Sequence, residues 1–430
     1  MTVTVIVGAQ WGDEGKGRVV DYLAERADMV IRFQGGDNAG HTVVNARGRF
    51  ALHLVPSGIF HPGAYCLLGP GTVVNLDALG DELAALHRAG VDARNLHIDY
   101  RAHLLLPWHR LLDGAAENWR KRDCQDDGGA EGEMGTTRRG IGPAYADKYS
   151  YKGVRVGDLR TPDVLRQRLE ALLPARNAQL AFYGLKAFTL DELTDLAAGW
   201  RERFGHLIVD SLPAVRAAVE GGRNVLLEGQ LGVGRCVDWG IYPYVTGSSP
   251  TAGGACVGAG IPPRAIDEVL GVVKAYSTSV GGGPFPTELN DEAGDMLQEI
   301  GSEFGATTGR VRRCGWFDGV AIRQAAWLNG FTSIAVTKLD VLDSFPAISI
   351  CTGYRLGNEV LRDVPDTATQ GLVTPIYESW AGWLTDTSGC RTWEDLPSNA
   401  RAYLRRIEAL AGAPIRYVSV GPERSQMVIV

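Results

Sequence analysis

The sequence predicts an α/β fold, a mainly parallel central sheet flanked by helices, of the phosphate-loop type with long insertions. Three observations predict it. Apolar runs rich in β-branched residues recur along the chain with helical patterns between many of them, the alternation that builds parallel sheets. Glycine, 55 of the 430 residues, gathers in loops at strand ends. Gly35-Gly36, Gly128-Gly129, Gly253-Gly254 and Gly281-Gly282-Gly283 are such loops, where backbone amides can approach a ligand closely. The first apolar run also leads through Gln10-Trp11-Gly12-Asp13-Glu14-Gly15-Lys16-Gly17 into a helical pattern, a strand–loop–helix context for holding phosphate.

In chain order, Val3 to Val7 is the opening strand, and Val19, Val20, Leu23, Ala24 and Ala27 share one face of the helix after the loop. Met29 to Phe33 and Tyr65 to Leu68 read as strands, and Asp77 to Arg88 as a helix. Lys121 to Glu133, dense in Asp, Glu and Gly, reads as a solvated or mobile surface segment. Val225 to Glu228 is a strand. Trp316 to Asn329 is a helix stopped by Gly330, followed by strands at Ser333 to Thr337 and Ala347 to Cys351. Ala400 to Ala411 is a helix with Tyr403, Leu404, Ile407 and Leu410 facing inward, and Ile415 to Val420 is the last strand. No internal repeat is evident.

The chain is 45% hydrophobic and 22% charged, enough for a large globular core. A net charge of −7 without a long basic run argues against a nucleic-acid footprint and leaves a small anionic substrate to a few placed cations. Seven dispersed cysteines without metal-ligand spacing read as free thiols of a reducing compartment. No apolar stretch approaches a membrane span and the N-terminus lacks a signal peptide's features, so a soluble cytoplasmic protein is expected.

The phosphate loop departs from the usual pattern in two places. Gln10 stands where a glycine is usual, and Gly17 follows Lys16 where a Ser or Thr hydroxyl normally holds magnesium. Another hard oxygen is then needed, and the loop's only carboxylates are Asp13 and Glu14. Asp13 is the candidate metal ligand, and a carboxylate beside a reacting phosphate can also take a proton. Thr337-Lys338-Leu339-Asp340, directly after a strand, resembles the guanine-reading turn of GTP-binding proteins. There the carboxylate accepts from guanine N1 and the 2-amino group, which adenine cannot match. Gln34 to Thr42 is a glycine-rich loop whose His41 lies about as far past its strand as Lys16 does past the first, placing a protonated imidazole at a transferring phosphoryl group. Glu303 to Arg313, with Thr307, Thr308, Arg310, Arg312 and Arg313 around glycines, reads as an anion clamp.

Together with Gly135-Thr136-Thr137, Arg139-Gly140-Ile141-Gly142-Pro143, Tyr242 to Thr246, Lys274 to Thr278 and Pro284 to Glu288, these elements resemble the adenylosuccinate synthetase family, from Val3 to the C-terminus. The signature WGDEGKG is highly specific to it. The resemblance implies one domain over residues 1–430 with acceptor-binding insertions, and a ligase joining L-aspartate to C6 of IMP with GTP and Mg2+, in a homodimer. It makes Asp13 the base at purine N1 and, with the Gly40 backbone, a magnesium ligand; His41 would act at the γ-phosphate, with Lys16 as the third catalytic residue. GTP would be held by Gly12, Glu14, Gly15, Lys16, Gly17, Arg18, Gly40, His41, Thr42 and Arg312. Lys338, Leu339 and Asp340 would read guanine, with Ser419, Gly421 and Pro422 closing over the ring. Thr307, Thr308, Arg310 and Arg312 would hold the amino acid's carboxylates and the ribose. Asn38, Thr137 and Thr246 would bind the acceptor's phosphate, with Arg139 and Leu231 completing the acceptor set.

The chain also departs from its family. Where the family reads EGAQG with its glutamine against the acceptor base, this chain has Glu228-Gly229-Gln230-Leu231-Gly232. Tyr151, followed by Lys152, stands in place of a cross-dimer arginine. Arg138 replaces a glycine, Gly247 a serine and Ser279 an arginine, and Val311 interrupts an arginine run. Because most of these lie in acceptor segments, a paralogue acting on a different 6-oxo purine nucleotide is an alternative reading. A GTP-binding switch module without ligase activity and an ATP-dependent kinase are others; the first needs neither His41 nor the Thr307 to Arg313 clamp, and the second leaves Asp340 unexplained.

Overall fold

The computed structural model describes residues 2–45, 47–126, 134–305 and 309–430. Ten strands form the central sheet: β1 (Val3–Gly8), β2 (Met29–Arg32), β3 (Tyr65–Leu68), β4 (Leu96–Asp99), β5 (Ile208–Val209), β6 (Val225–Gly232), β7 (Glu268–Lys274), β8 (Ser333–Thr337), β9 (Ile415–Ser419) and β10 (Met427–Ile429). Their order across the sheet is β10-β9-β8-β7-β1-β6-β2-β3-β4-β5, and every pairing is parallel except β9 with β10. The expected α/β architecture is present. From β1 the chain builds outward through β2 to β5, returns to insert β6 beside β1, then crosses to β7 and builds the other way. That reversal leaves a crevice at the carboxyl ends of β1, β6 and β7, the place where open parallel sheets bind ligands.

The strands are apolar runs because both faces are covered. In β1, Ile6 packs into one core with Val19, Val20, Leu76 and Leu79, while Val5 and Val7 face a second core with Val215, Ala252 and Ala255. A third core gathers Tyr403, Leu404 and Ile407 of helix Ser398–Ala411 against Ile334, Val336 and Val418.

Several expected boundaries shift. Helix α1 (Lys16–Ala24) ends before Ala27. The helix expected from Trp316 spans Gly319–Asn329, because Asp318 caps it by accepting from the amides of Val320 and Ala321, both at 3.0 Å. Ala347–Leu356 is a strand but lies outside the central sheet. It pairs antiparallel with Glu359–Leu361 across the tight turn at Gly357, and with Thr374–Ala381, in a separate four-stranded sheet. The polar segment at Lys121 begins as the end of helix Pro107–Asp126, and its remainder, 127–133, lies outside the described residues. No described helix is long and apolar enough to cross a membrane.

Candidate active site

The loop after β1 enters α1 through Gly15, whose φ of 89° is left-handed and whose position carries no capping side chain. The first-turn amides of α1 are thus left for an anion. Glu14 is fully buried and accepts from the amides of Gln10 (3.1 Å) and Gly12 (2.9 Å) while pairing with the Lys16 ammonium. Gly8 and Gly232 wall its carboxylate so closely that a Cβ on either would fall within 2.4 Å of it. Glu14 therefore braces the loop from inside, and its side chain does not line the cleft. Asp13, in the left-handed region with φ 59°, turns outward to the cleft and lies 2.9 Å from Arg312 Nε.

Gly17 has a steric role beyond its missing hydroxyl, since a Cβ there would sit 2.5 Å from the Cβ of His41. His41 is not in a loop, as expected, but begins the hairpin His41–Asn45 with Gly48–Leu52, which carries the ring across the start of α1. Its Nδ1 lies 2.6 Å from Glu228 Oε1, and Glu228 also accepts from Ser57 N (2.8 Å) and Ser57 Oγ (2.6 Å). Burial pulls the His41 imidazole below its ordinary range against the opposing pull of Glu228, and the Arg32 and Lys16 cations lower it further. Nδ1–H donates to Glu228, and the opposite nitrogen is left for a ligand. Glu228 was not singled out from sequence; its signal was a lone carboxylate in an otherwise apolar central strand.

The cleft between these elements has a volume of about 380 Å³. It brings together Asp13, Gly15, Lys16, Gly17, Arg18, Asn38, Gly40, His41, Thr42, Leu231, Arg312, Lys338, Asp340, Ser419, Gly421 and Pro422. At one end Lys338, itself left-handed with φ 61°, reaches the carbonyl of Gly301, and Asp340 lies in the short turn Leu339–Leu342. Burial raises Asp340 against the pull of Lys338 and Arg18. Leu339 is buried under this turn and does not line the cleft. Arg18 reaches Ser419 Oγ and the Gly421 carbonyl, tying α1 to the C-terminal loop, and Thr337 Oγ1 donates to the Glu14 carbonyl at 2.6 Å. The guanine-type turn and the phosphate loop are thus one hydrogen-bonded unit. Beneath them buried Glu303 accepts from Lys274 (2.8 Å), Tyr276 and Arg312 (2.6 Å), and these cations hold it far below the ordinary carboxylate range despite its burial.

At the other end Asn38 Oδ1 accepts from Gly36 N (3.3 Å) and Gln230 Nε2, and Gln230 Oε1 accepts from Arg32. Both ends of the Gln230 amide are engaged, and Leu231 faces the cleft from a left-handed backbone with φ 59°. Gly12, Thr137, Arg139, Thr246 and Arg310 do not line the cleft. Arg139 lies 3.4 Å from buried Asp37, Arg310 donates to the Gly135 carbonyl at 2.8 Å, and Thr246 N donates to the Arg235 carbonyl at 2.9 Å. Thr307 and Thr308 lie outside the described residues.

Residues 5–428 match the family model described as adenylosuccinate synthetase. The adenylosuccinate synthetase of Heliobacterium modesticaldum is 48% identical over 430 residues, covering all of this chain and 99% of the relative. That of Moorella thermoacetica is 49% identical over 432 residues with the same coverage. The fully ligated adenylosuccinate synthetase of Plasmodium falciparum superposes over the whole of both chains with a TM-score of 0.93 at 34% identity. Matched from end to end in sequence and in fold, this chain belongs to the adenylosuccinate synthetase family.

Proposed function

We propose that the protein is a GTP-dependent ligase joining L-aspartate to C6 of IMP through a 6-phosphoryl intermediate. The observation that carries this is the convergence in one cleft of the Lys338–Asp340 turn, the α1 N-terminus with Lys16, and the Asp13 carboxylate. The nucleotide spans the cleft with guanine at Asp340 and its phosphates over the α1 amides. Asp13 takes the N1 proton of the acceptor, making O6 the nucleophile toward the γ-phosphate. The phosphoryl group converts a poor leaving oxygen into phosphate, which the aspartate amine displaces at C6. His41, backed by Glu228, supplies hydrogen-bonding and proton-holding capacity at the transferring group. Asn38, Thr137, Arg139 and Thr246 hold the acceptor; Arg310 and Arg312, with Thr307 and Thr308, hold the amino acid and ribose.

The donor set suits magnesium. With Glu14 consumed inside the loop, Asp13 is the loop's one carboxylate facing the cleft, and the Gly40 carbonyl is a second hard oxygen. Among the described residues no three His, Cys, Asp or Glu side chains cluster as a metal cage. Bound there, magnesium would neutralise phosphate charge. Tyr151, 97% exposed, and Lys152 stand free at the surface, where a second protomer of a homodimer would meet them.

The test supplies GTP, Mg2+, L-aspartate and IMP and follows phosphate release together with product mass. Asp13→Ala lowers kcat by about 10³-fold or more with GTP binding retained. Phosphate release without aspartate incorporation refutes the ligase reading, and near-normal turnover of the variant refutes the role of Asp13.

A further inference from the structure

A guanidinium meets the hydroxyl of Ser279. Arg235, in the turn Val233–Arg235 after β6, directs Nη2 to Ser279 Oγ and to the Val280 carbonyl, both at 2.7 Å. Its Nη1 reaches the carbonyls of Tyr244 (2.5 Å) and Gly282 (3.2 Å). The side chain is buried, and its hydrogen-bond partners among the described residues are carbonyls and a hydroxyl, with no carboxylate. Burial, then Arg313 and Arg310, bring it down to about 10 against the pull of Asp13. A buried cation whose hydrogen bonds all go to carbonyls and a hydroxyl is costly to hold.

We propose that Arg235, in the turn after β6, is a positioning residue for the acceptor nucleotide. It fastens two segments to each other. One is the Tyr244–Thr246 turn, which it grips by side chain at Tyr244 and by its own carbonyl at Thr246 N. The other is the Ser279–Gly282 loop, which in turn seats Gly135: Gly282 N donates to the Met134 carbonyl at 3.3 Å, and a Cβ on Gly135 would fall 2.5 Å from Gly281 Cα. Arg313 holds the same loop from the other side, through the Gly283 carbonyl at 2.8 Å. Thr137 and Thr246 are thereby kept in one register. The inference rests on the proposed function, which assigns both threonines to the acceptor.

The experiment measures KM for IMP and for GTP in Arg235→Leu, Ser279→Arg and the double variant. Arg235→Leu raises the IMP KM about tenfold or more while the GTP KM changes less than about twofold. Ser279→Arg alone crowds two guanidiniums into one buried space and is impaired. The double variant regains an IMP KM within about threefold of the parent. An unchanged IMP KM in folded Arg235→Leu, or a double variant no better than Arg235→Leu, overturns the inference. Should Arg235→Leu not fold, a folded double variant with a parent-like IMP KM supports the inference, and a double variant that also fails to fold overturns it. A parent enzyme that does not ligate aspartate to IMP refutes the proposed function instead, before any variant is read.

Discussion

Glu228 and Gly17 show how single residues set this site. Gly17 gives up the hydroxyl of the usual phosphate loop and gains the approach of His41, since a Cβ would collide with that ring. His41 is then fixed through Nδ1 by a carboxylate that is itself fixed by Ser57. Glu228→Gln removes the charge that favours imidazolium and keeps the shape. We expect kcat to fall about 10²-fold with little change in the GTP KM. Because Glu228 raises His41 against burial, its loss lets His41 sink further, and the alkaline limb of the rate profile, where protonated His41 is lost, moves to lower pH. Rate–pH profiles of the two enzymes check this; superimposable profiles would show that Glu228 is only structural. Arg32 and Asn38 occupy the amide of Gln230, and the apolar side chain of Leu231 lines the cleft beside it.

At the scale of elements, the turn after β8 and the loop after β1 act as a pair joined by the Thr337 hydroxyl. Lys338 adopts φ 61° to start the turn, which aligns Asp340 with the phosphate end of the same cleft. Asp340→Asn replaces an acceptor with a donor, leaving the guanine 2-amino group opposed while suiting the 2-oxo group of xanthine. The expected result is a loss of about 10²-fold or more in kcat/KM for GTP and a relative gain for XTP, read from competing nucleotide assays. Equal losses for both would place Asp340 outside base reading. Strand and helix existence in this region was legible because apolar periodicity is local. Membership of Ala347–Leu356 in a second sheet was not, since an isolated apolar run does not state its partner strand; the tight turn at Gly357 selects the antiparallel one.

For the whole molecule, pH tests how the insertions close on the sheet. His103 is buried, its Nδ1 meets no partner among the described residues, and burial together with Lys148, Arg155, Arg168 and His109 pushes it down to about 4. Between that value and the unfolded value near 6.5, the unfolded chain binds a proton that the folded chain rejects. Stability therefore rises with pH across that window and is lost as pH falls through it, by about 3 kcal/mol at most. His103→Leu flattens this part of the curve; urea denaturation at a series of pH values checks it, and an unchanged slope would disprove it. What the sequence by itself determined was the fold class and the family, because the patterns and motifs that carry them are local in the chain. Only the tertiary structure decided that Glu14 faces inward, that Glu228 stands behind His41, and that Arg235 meets Ser279. Those relations join strands and loops far apart in sequence, and burial and distance between them exist only once the parallel sheet has set their order.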